Sequence, residues 1–223
     1  MLSFLGLIKK LYAVKSFHGY TDNEIDSLKQ LFGDIPAVLE EYYRTAGNTK
    51  EFQYGQDSWV KPEDYKGHRW YKDIDGMVIL NENQGVCQAC IKREDLSLPD
   101  PPVYNNYNED EWELCASSVS EFLVSMLAYN SAFMFEYSPE DFYCIEDENI
   151  KEFQSRLEKY PFEIKSWIGG IRITFYSNSP GNLAVAMGEE DDSSGYLQLI
   201  YGASDKDAYD KLQEALEDIC EPF

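Results

Sequence analysis

Val78-Ile79-Leu80-Asn81-Glu82-Asn83-Gln84-Gly85-Val86-Cys87 is the stretch on which the fold turns. Val78-Ile79-Leu80 is a β-branched, apolar run of strand type, and a second such run occupies residues 86–91. Asn81-Glu82-Asn83-Gln84-Gly85 between them is rich in turn formers, so the pattern predicts an antiparallel hairpin. Inside the second run, Cys87-Gln88-Ala89-Cys90 has the CxxC spacing that on a knuckle or helix N-terminus holds a metal or forms a redox pair. In a strand, residues three apart point to opposite faces, and no second CxxC or CxxH completes a tetrahedral site. Both cysteines therefore read as buried small hydrophobes.

Upstream of the hairpin the period changes to that of helices. Thr21-Asp22-Asn23-Glu24 has capping-box spacing, Ile25, Leu28, Leu31 and Phe32 make one apolar face, and Gly33 closes it. A second helix follows, with Asp34 as cap, Pro36 in the first turn, Val38, Leu39, Tyr42, Tyr43 and Ala46 on one face, and Gly47 in a left-handed closing conformation. Residues 48–77 lack a period and read as loop with one short strand; their aromatic group, Phe52, Tyr54, Trp59, Tyr65, Trp70 and Tyr71, reads as core packing ahead of a ligand cleft.

Downstream, Pro99, Pro101 and Pro102 exclude regular helix and central strand and predict an extended connection. Ser118-Val119-Ser120-Glu121 is again a capping box, with Val119, Phe122, Leu123, Met126 and Leu127 as a helical stripe. A shorter helix is expected over 150–159, ended by Pro161. Strands at 162–168, 171–176, 183–187 and 196–201 follow as an antiparallel meander, then a final helix capped by Ser204 with Ala208, Leu212, Ala215, Leu216 and Ile219 on its stripe.

The chain of 223 residues favours one domain, and 43% hydrophobic with 15% aromatic content supplies a core. Lys9 and Lys10 interrupt the apolar N-terminal stretch too early for a membrane span or an ordinary signal core, so it reads as a short amphipathic helix. The 5 cysteines are scattered, which fits a reducing compartment, and a soluble cytoplasmic chain is expected. A net charge of -22 repels nucleic-acid phosphates and anionic membranes and attracts a basic protein. Only His18 and His68 are present, so three-His metal sites are excluded; neither lies beside a nucleophile motif, and both read as ordinary polar residues. No dinucleotide, phosphate-loop, HExxH or EF-hand motif occurs, and no cofactor is expected. The runs Glu109-Asp110-Glu111, Glu146-Asp147-Glu148 and Glu189-Glu190-Asp191-Asp192 admit three readings: solvated surface, cation site, or electrostatic face for a basic partner.

The order of motifs from the E-N-Q-G-V turn at 82–86, through Glu94-Asp95-Leu96 and Asp100-Pro101-Pro102-Val103-Tyr104, to Trp112 and the helix at 118–130 resembles the SUKH superfamily, which includes fungal cell-wall assembly regulators and many bacterial immunity proteins. Leu39-Glu40-Glu41-Tyr42-Tyr43 and the Ala46-Gly47-Asn48 turn resemble its opening section. The likeness is best over 18–135 and looser over 136–223. One departure is Gln88-Ala89-Cys90, where many relatives carry an aromatic. The resemblance implies a single α+β domain over 1–223, a central, largely antiparallel sheet flanked by helices, and no catalytic residues. It also implies a cytoplasmic immunity role, neutralising a cognate toxin, often a nuclease.

Nuclease toxins grip phosphate and tend to be basic, so an acidic inhibitor would be steered onto them and cover the cationic cleft. Charge density selects Glu109, Asp110, Glu111, Glu189, Glu190, Asp191 and Asp192 as partner-binding candidates. The alternatives are a regulatory scaffold resembling the fungal members and a carboxylate-based hydrolase, since among 41 acidic residues some pair falls at glycosidase-like separation by chance.

Overall fold

The N-terminal stretch folds as expected into a short helix, α1 (Leu5–Leu11), with Ile8 and Leu11 buried and Lys9 and Lys10 exposed. The structure, a computed structural model, describes residues 2–67, 75–107, 112–189 and 195–223. The chain divides into two compact units, one made of Met1–Ser3 with Lys15–Leu123, the other of Phe4–Val14 with Val124–Phe223.

In the first unit α2 (Asp22–Phe32) opens with the anticipated capping box: the Glu24 N–H donates to Thr21 Oγ1 at 3.4 Å, and the Thr21 N–H donates to Glu24 Oε2 at 2.7 Å. Gly33 ends the helix at φ 83, a conformation that glycine adopts without a Cβ penalty. α3 (Ala37–Thr45) begins after Pro36, which supplies the N-cap position expected of Asp34. Gly47 is not left-handed. A Cβ there would lie 2.8 Å from the Tyr43 ring, so close packing is what requires glycine. Glu40 on α3 receives a hydrogen bond from Lys29 of α2 at 2.8 Å, tying the two helices together, and one from Arg44 of its own helix at 2.9 Å.

The chain then forms β1 (Ser58–Trp59), a four-residue helix α4 (Asp64–Gly67), β2 (Gly76–Asn81) and β3 (Gln88–Lys92), followed by β4 (Val103–Asn105) and β5 (Glu113–Ala116). These strands make a five-stranded antiparallel sheet in the order β1-β2-β3-β4-β5. The predicted hairpin is its centre. Glu82 holds the turn, its Oε2 accepting the N–H groups of Gln84 at 2.8 Å and Val86 at 3.2 Å, and Gly85 adopts φ 74. Of the aromatic group, Phe52, Trp59 and Tyr65 are buried, with Trp59 packed 5.9 Å from Tyr42 and 6.1 Å from Phe122, as core packing requires. Tyr54 is exposed, and Trp70 and Tyr71 lie outside the described residues.

The unit boundary falls inside α5 (Val119–Ala132), between Leu123 and Val124. Ser118 caps it by accepting the Glu121 N–H at 3.2 Å, while the Glu121 carboxylate reaches back one residue further than expected, to the Ser117 N–H at 3.0 Å. Beyond the predicted stripe, every residue from 122 to 132 is buried.

The second unit continues with β6 (Tyr143–Glu146), α6 (Asp147–Arg156), β7 (Glu158–Ile164), β8 (Ile171–Ser177), β9 (Asn182–Glu189), β10 (Tyr196–Ala203), α7 (Lys206–Leu216) and β11 (Glu221–Pro222). They form a six-stranded antiparallel sheet ordered β11-β6-β10-β9-β8-β7. The expected meander is its main part. α6 starts earlier than expected, with Asp147 and Glu148 in its first turn, and Pro161 does not end it; the proline sits in edge strand β7, where the register shifts between Lys159 and Glu163. α7 is capped by Asp205, whose carboxylate accepts the Ala208 N–H at 2.9 Å, while Ser204 donates to Gly181. Phe153 of α6 and Leu212 and Leu216 of α7 bury one sheet face over Tyr176, Ala184, Ala186, Leu199 and Tyr201. The fold is α+β with antiparallel sheets, and its strands divide between two sheets.

Candidate functional site

The sheet of the second unit brings together parts of the sequence that lie far apart. Tyr196 pairs with Glu146, and the Asp147 N–H donates to Gly195 O at 3.2 Å. The residues that follow the Glu189-Glu190-Asp191-Asp192 run, Gly195 and Tyr196, are thereby fixed beside Glu146 and Asp147, while Glu189 ends β9, one strand further away. Glu190, Asp191 and Asp192 themselves, and the candidates Glu109, Asp110 and Glu111, lie outside the described residues, as does His68. His18 is exposed, its Nε2 3.2 Å from Ser16 Oγ.

Register decides which side chains share a face. Glu221, Cys144, Gln198, Met187 and Ile173 are successive Cα partners across five strands, so their side chains form one row. At the β8 end this row is closed, Ile173 being buried with Phe175, Leu183 and Val185 in neighbouring positions of the same face. Towards β11 it opens: Met187, Gln198 and Cys144 are half-buried and Glu221 is exposed. Alternation places Glu146 and its partner Tyr196 on the same face. Phe223 packs against Tyr196 with ring centroids 5.7 Å apart, and its N–H donates to Phe142 O at 2.7 Å. Phe223 is 66% exposed and Phe142 56% exposed.

The result is an aromatic edge rimmed by carboxylates. Glu140, Asp141, Glu146, Asp147, Glu148 and Glu221 are all exposed and make no ion pair among the described residues. Four cations of this unit pair with other carboxylates: Arg156 with Glu152 and Asp218, Arg172 and Lys159 with Glu163, and Lys206 with Asp210. The half-buried Cys144 thiol registers the surroundings, its pKa raised first by burial and then by Glu146 and Glu221. Such a surface repels anions and places exposed rings within a negative rim. Charge density in the sequence pointed to residues 109–111 and 189–192; β6, β11, Phe142, Tyr196 and Phe223 were not read as part of a site. The available signal was Glu140-Asp141-Phe142, a large aromatic set in an acidic stretch.

The CxxC cysteines are both buried, 2% and 1% exposed, and their surroundings differ: Cys87 feels Glu82 and Asp57, whereas Cys90 lies near Asp75, Lys92 and Arg93. Burial pushes each thiol up to about 12, the behaviour of an inert core residue. No group of three or more His, Cys, Asp or Glu side chains is disposed to hold a metal among the described residues. A cleft of about 660 Å³ in the second unit is lined by Lys10, Arg156, Tyr160 and the turn after β8. In that turn Asn182 Oδ1 already accepts Ser177 Oγ–H and the N–H groups of Asn178 and Ser179. No helix among the described residues is long and apolar enough to cross a membrane. Comparison with family models, with curated proteins and with solved structures finds no match.

Proposed function

We propose that the protein is a cytosolic immunity-type binding protein that neutralises a cognate basic toxin, of the nuclease kind, by occluding its cationic active site. The observation that carries this reading is the exposed aromatic edge of β6 and β11, set among carboxylates that make no ion pair among the described residues, in a chain of net charge -22. The resemblance of the 18–135 segment to the SUKH superfamily supports it. Binding accounts for the activity without turnover. The carboxylate rim accelerates encounter with a positive surface, and the aromatic rings supply the desolvated contact that holds the complex. Exposed ion pairs contribute about 0–1 kcal/mol each, so affinity rests on the rings and association rate on the charge. Co-expression of the full chain with the toxin encoded by the adjacent gene tests the proposal: rescue of growth and a co-purifying complex are expected, and neither rescue nor complex overturns it.

A further inference from the structure

We infer that the open end of the β11-β6-β10 face is an arginine-recognition site, taking a guanidinium from the partner against the rings of Phe223 and Tyr196. The inference rests on the proposed binding role and specifies the side chain that the partner must present. Three features of the face select arginine. The Phe223 and Tyr196 rings stand 5.7 Å apart and are inclined at 33°, so a flat cation laid on the exposed Phe223 ring sits on the negative face of one π-system and near the second. Glu221 stands two residues before Phe223 and, two strands from Tyr196, on the same face, and Glu146 is the direct cross-strand partner of Tyr196. A carboxylate at the ring edge receives the paired N–H donors of a guanidinium, which stacks and forks at once; an ammonium is a compact, strongly hydrated point charge that does neither well. Neither carboxylate has an ion pair among the described residues, so a ligand cation displaces no internal partner.

The chemistry fits the proposed target, because a protein that grips phosphate through bidentate arginine carries the same groups into the inhibitor. The test uses the full chain and short peptides of equal charge, hexa-arginine and hexa-lysine, titrated at moderate salt. Hexa-arginine is expected to bind about tenfold more tightly than hexa-lysine. Phe223→Ala should abolish that preference while leaving hexa-lysine binding nearly unchanged, since the rings discriminate and the charge does not. Glu221→Gln with Glu146→Gln should weaken both peptides, arginine more. Equal affinity for the two peptides, or a preference that survives Phe223→Ala, overturns the inference. A toxin complex that forms equally well with Phe223→Ala sinks this assignment alone, whereas absence of any toxin complex with the unmodified chain sinks the binding role.

Discussion

Replacement of Glu82 by Ala should open the central hairpin of the five-stranded sheet. The side chain is only 4% exposed, yet it serves a turn whose outer residues 83–86 face solvent. Its Oε2 accepts two backbone N–H groups, from Gln84 at 2.8 Å and from Val86 at 3.2 Å. Hydrogen bonds to a charged group contribute about 1.5–3 kcal/mol each, giving an upper bound near 6 kcal/mol. Water can reach both N–H groups once the carboxylate is gone, so about half that bound is recovered and a loss of about 2–3 kcal/mol is expected. Glu82→Gln keeps an acceptor of the same shape and should cost about 1 kcal/mol. Hydrogen exchange at the β2 and β3 amides is the assay, because it reads opening of this hairpin directly. Protection should fall about 30- to 150-fold in the Ala variant and about fivefold in the Gln variant. Protection unchanged in the Ala variant, or an equal fall in both, would refute the assignment of the turn to this carboxylate.

Asn182, fully buried, joins the turn after β8 to α7, with its Nδ2 donating to Ala208 O at 2.8 Å and to Asn178 Oδ1 at 2.7 Å; Asn182→Ala should destabilise the second unit by about 2–4 kcal/mol, read as a lower urea midpoint. Glu40 has a pKa held below its ordinary 4.5 chiefly by the hydrogen bond from Lys29, so its stabilising effect is full above that value and is lost as pH falls through the lowered native one. Glu40→Gln should therefore cost about 1 kcal/mol at neutral pH and nothing in strong acid, as followed by melting at both. Iodoacetamide at mildly alkaline pH should modify Cys144 first in the native chain and leave Cys87, Cys90 and Cys115 unlabelled, since burial raises the pKa of each; peptide mapping that found Cys87 labelled before Cys144 would contradict this.

Features whose cause is local were legible before the structure. Thr21 with Glu24, Gly33 and the Ser118 cap each act within a few residues, and the hairpin and meander strands carry apolar runs between turn formers. Elements that depend on distant partners were not. β4 and β5 are three and four residues long, and β11 is two, too short to show a period; each exists because an adjacent strand accepts its hydrogen bonds. Asp205 displaced Ser204 as cap because the serine hydroxyl is bound to Gly181 O, a contact no local window contains. The candidate site was hidden for the same reason: Phe142, Tyr196 and Phe223 become neighbours only through the β6 pairings on either side.

The central claim is that this protein captures a basic partner by surface complementarity. Stopped-flow association with the purified toxin from the adjacent gene, followed across about 50–300 mM salt, tests it most directly, because the screening length falls from above 10 Å to below it over that range. The account predicts a stable complex whose association rate drops by at least about tenfold while its dissociation rate changes little. A complex whose association rate is indifferent to salt, or no complex at all, would contradict it.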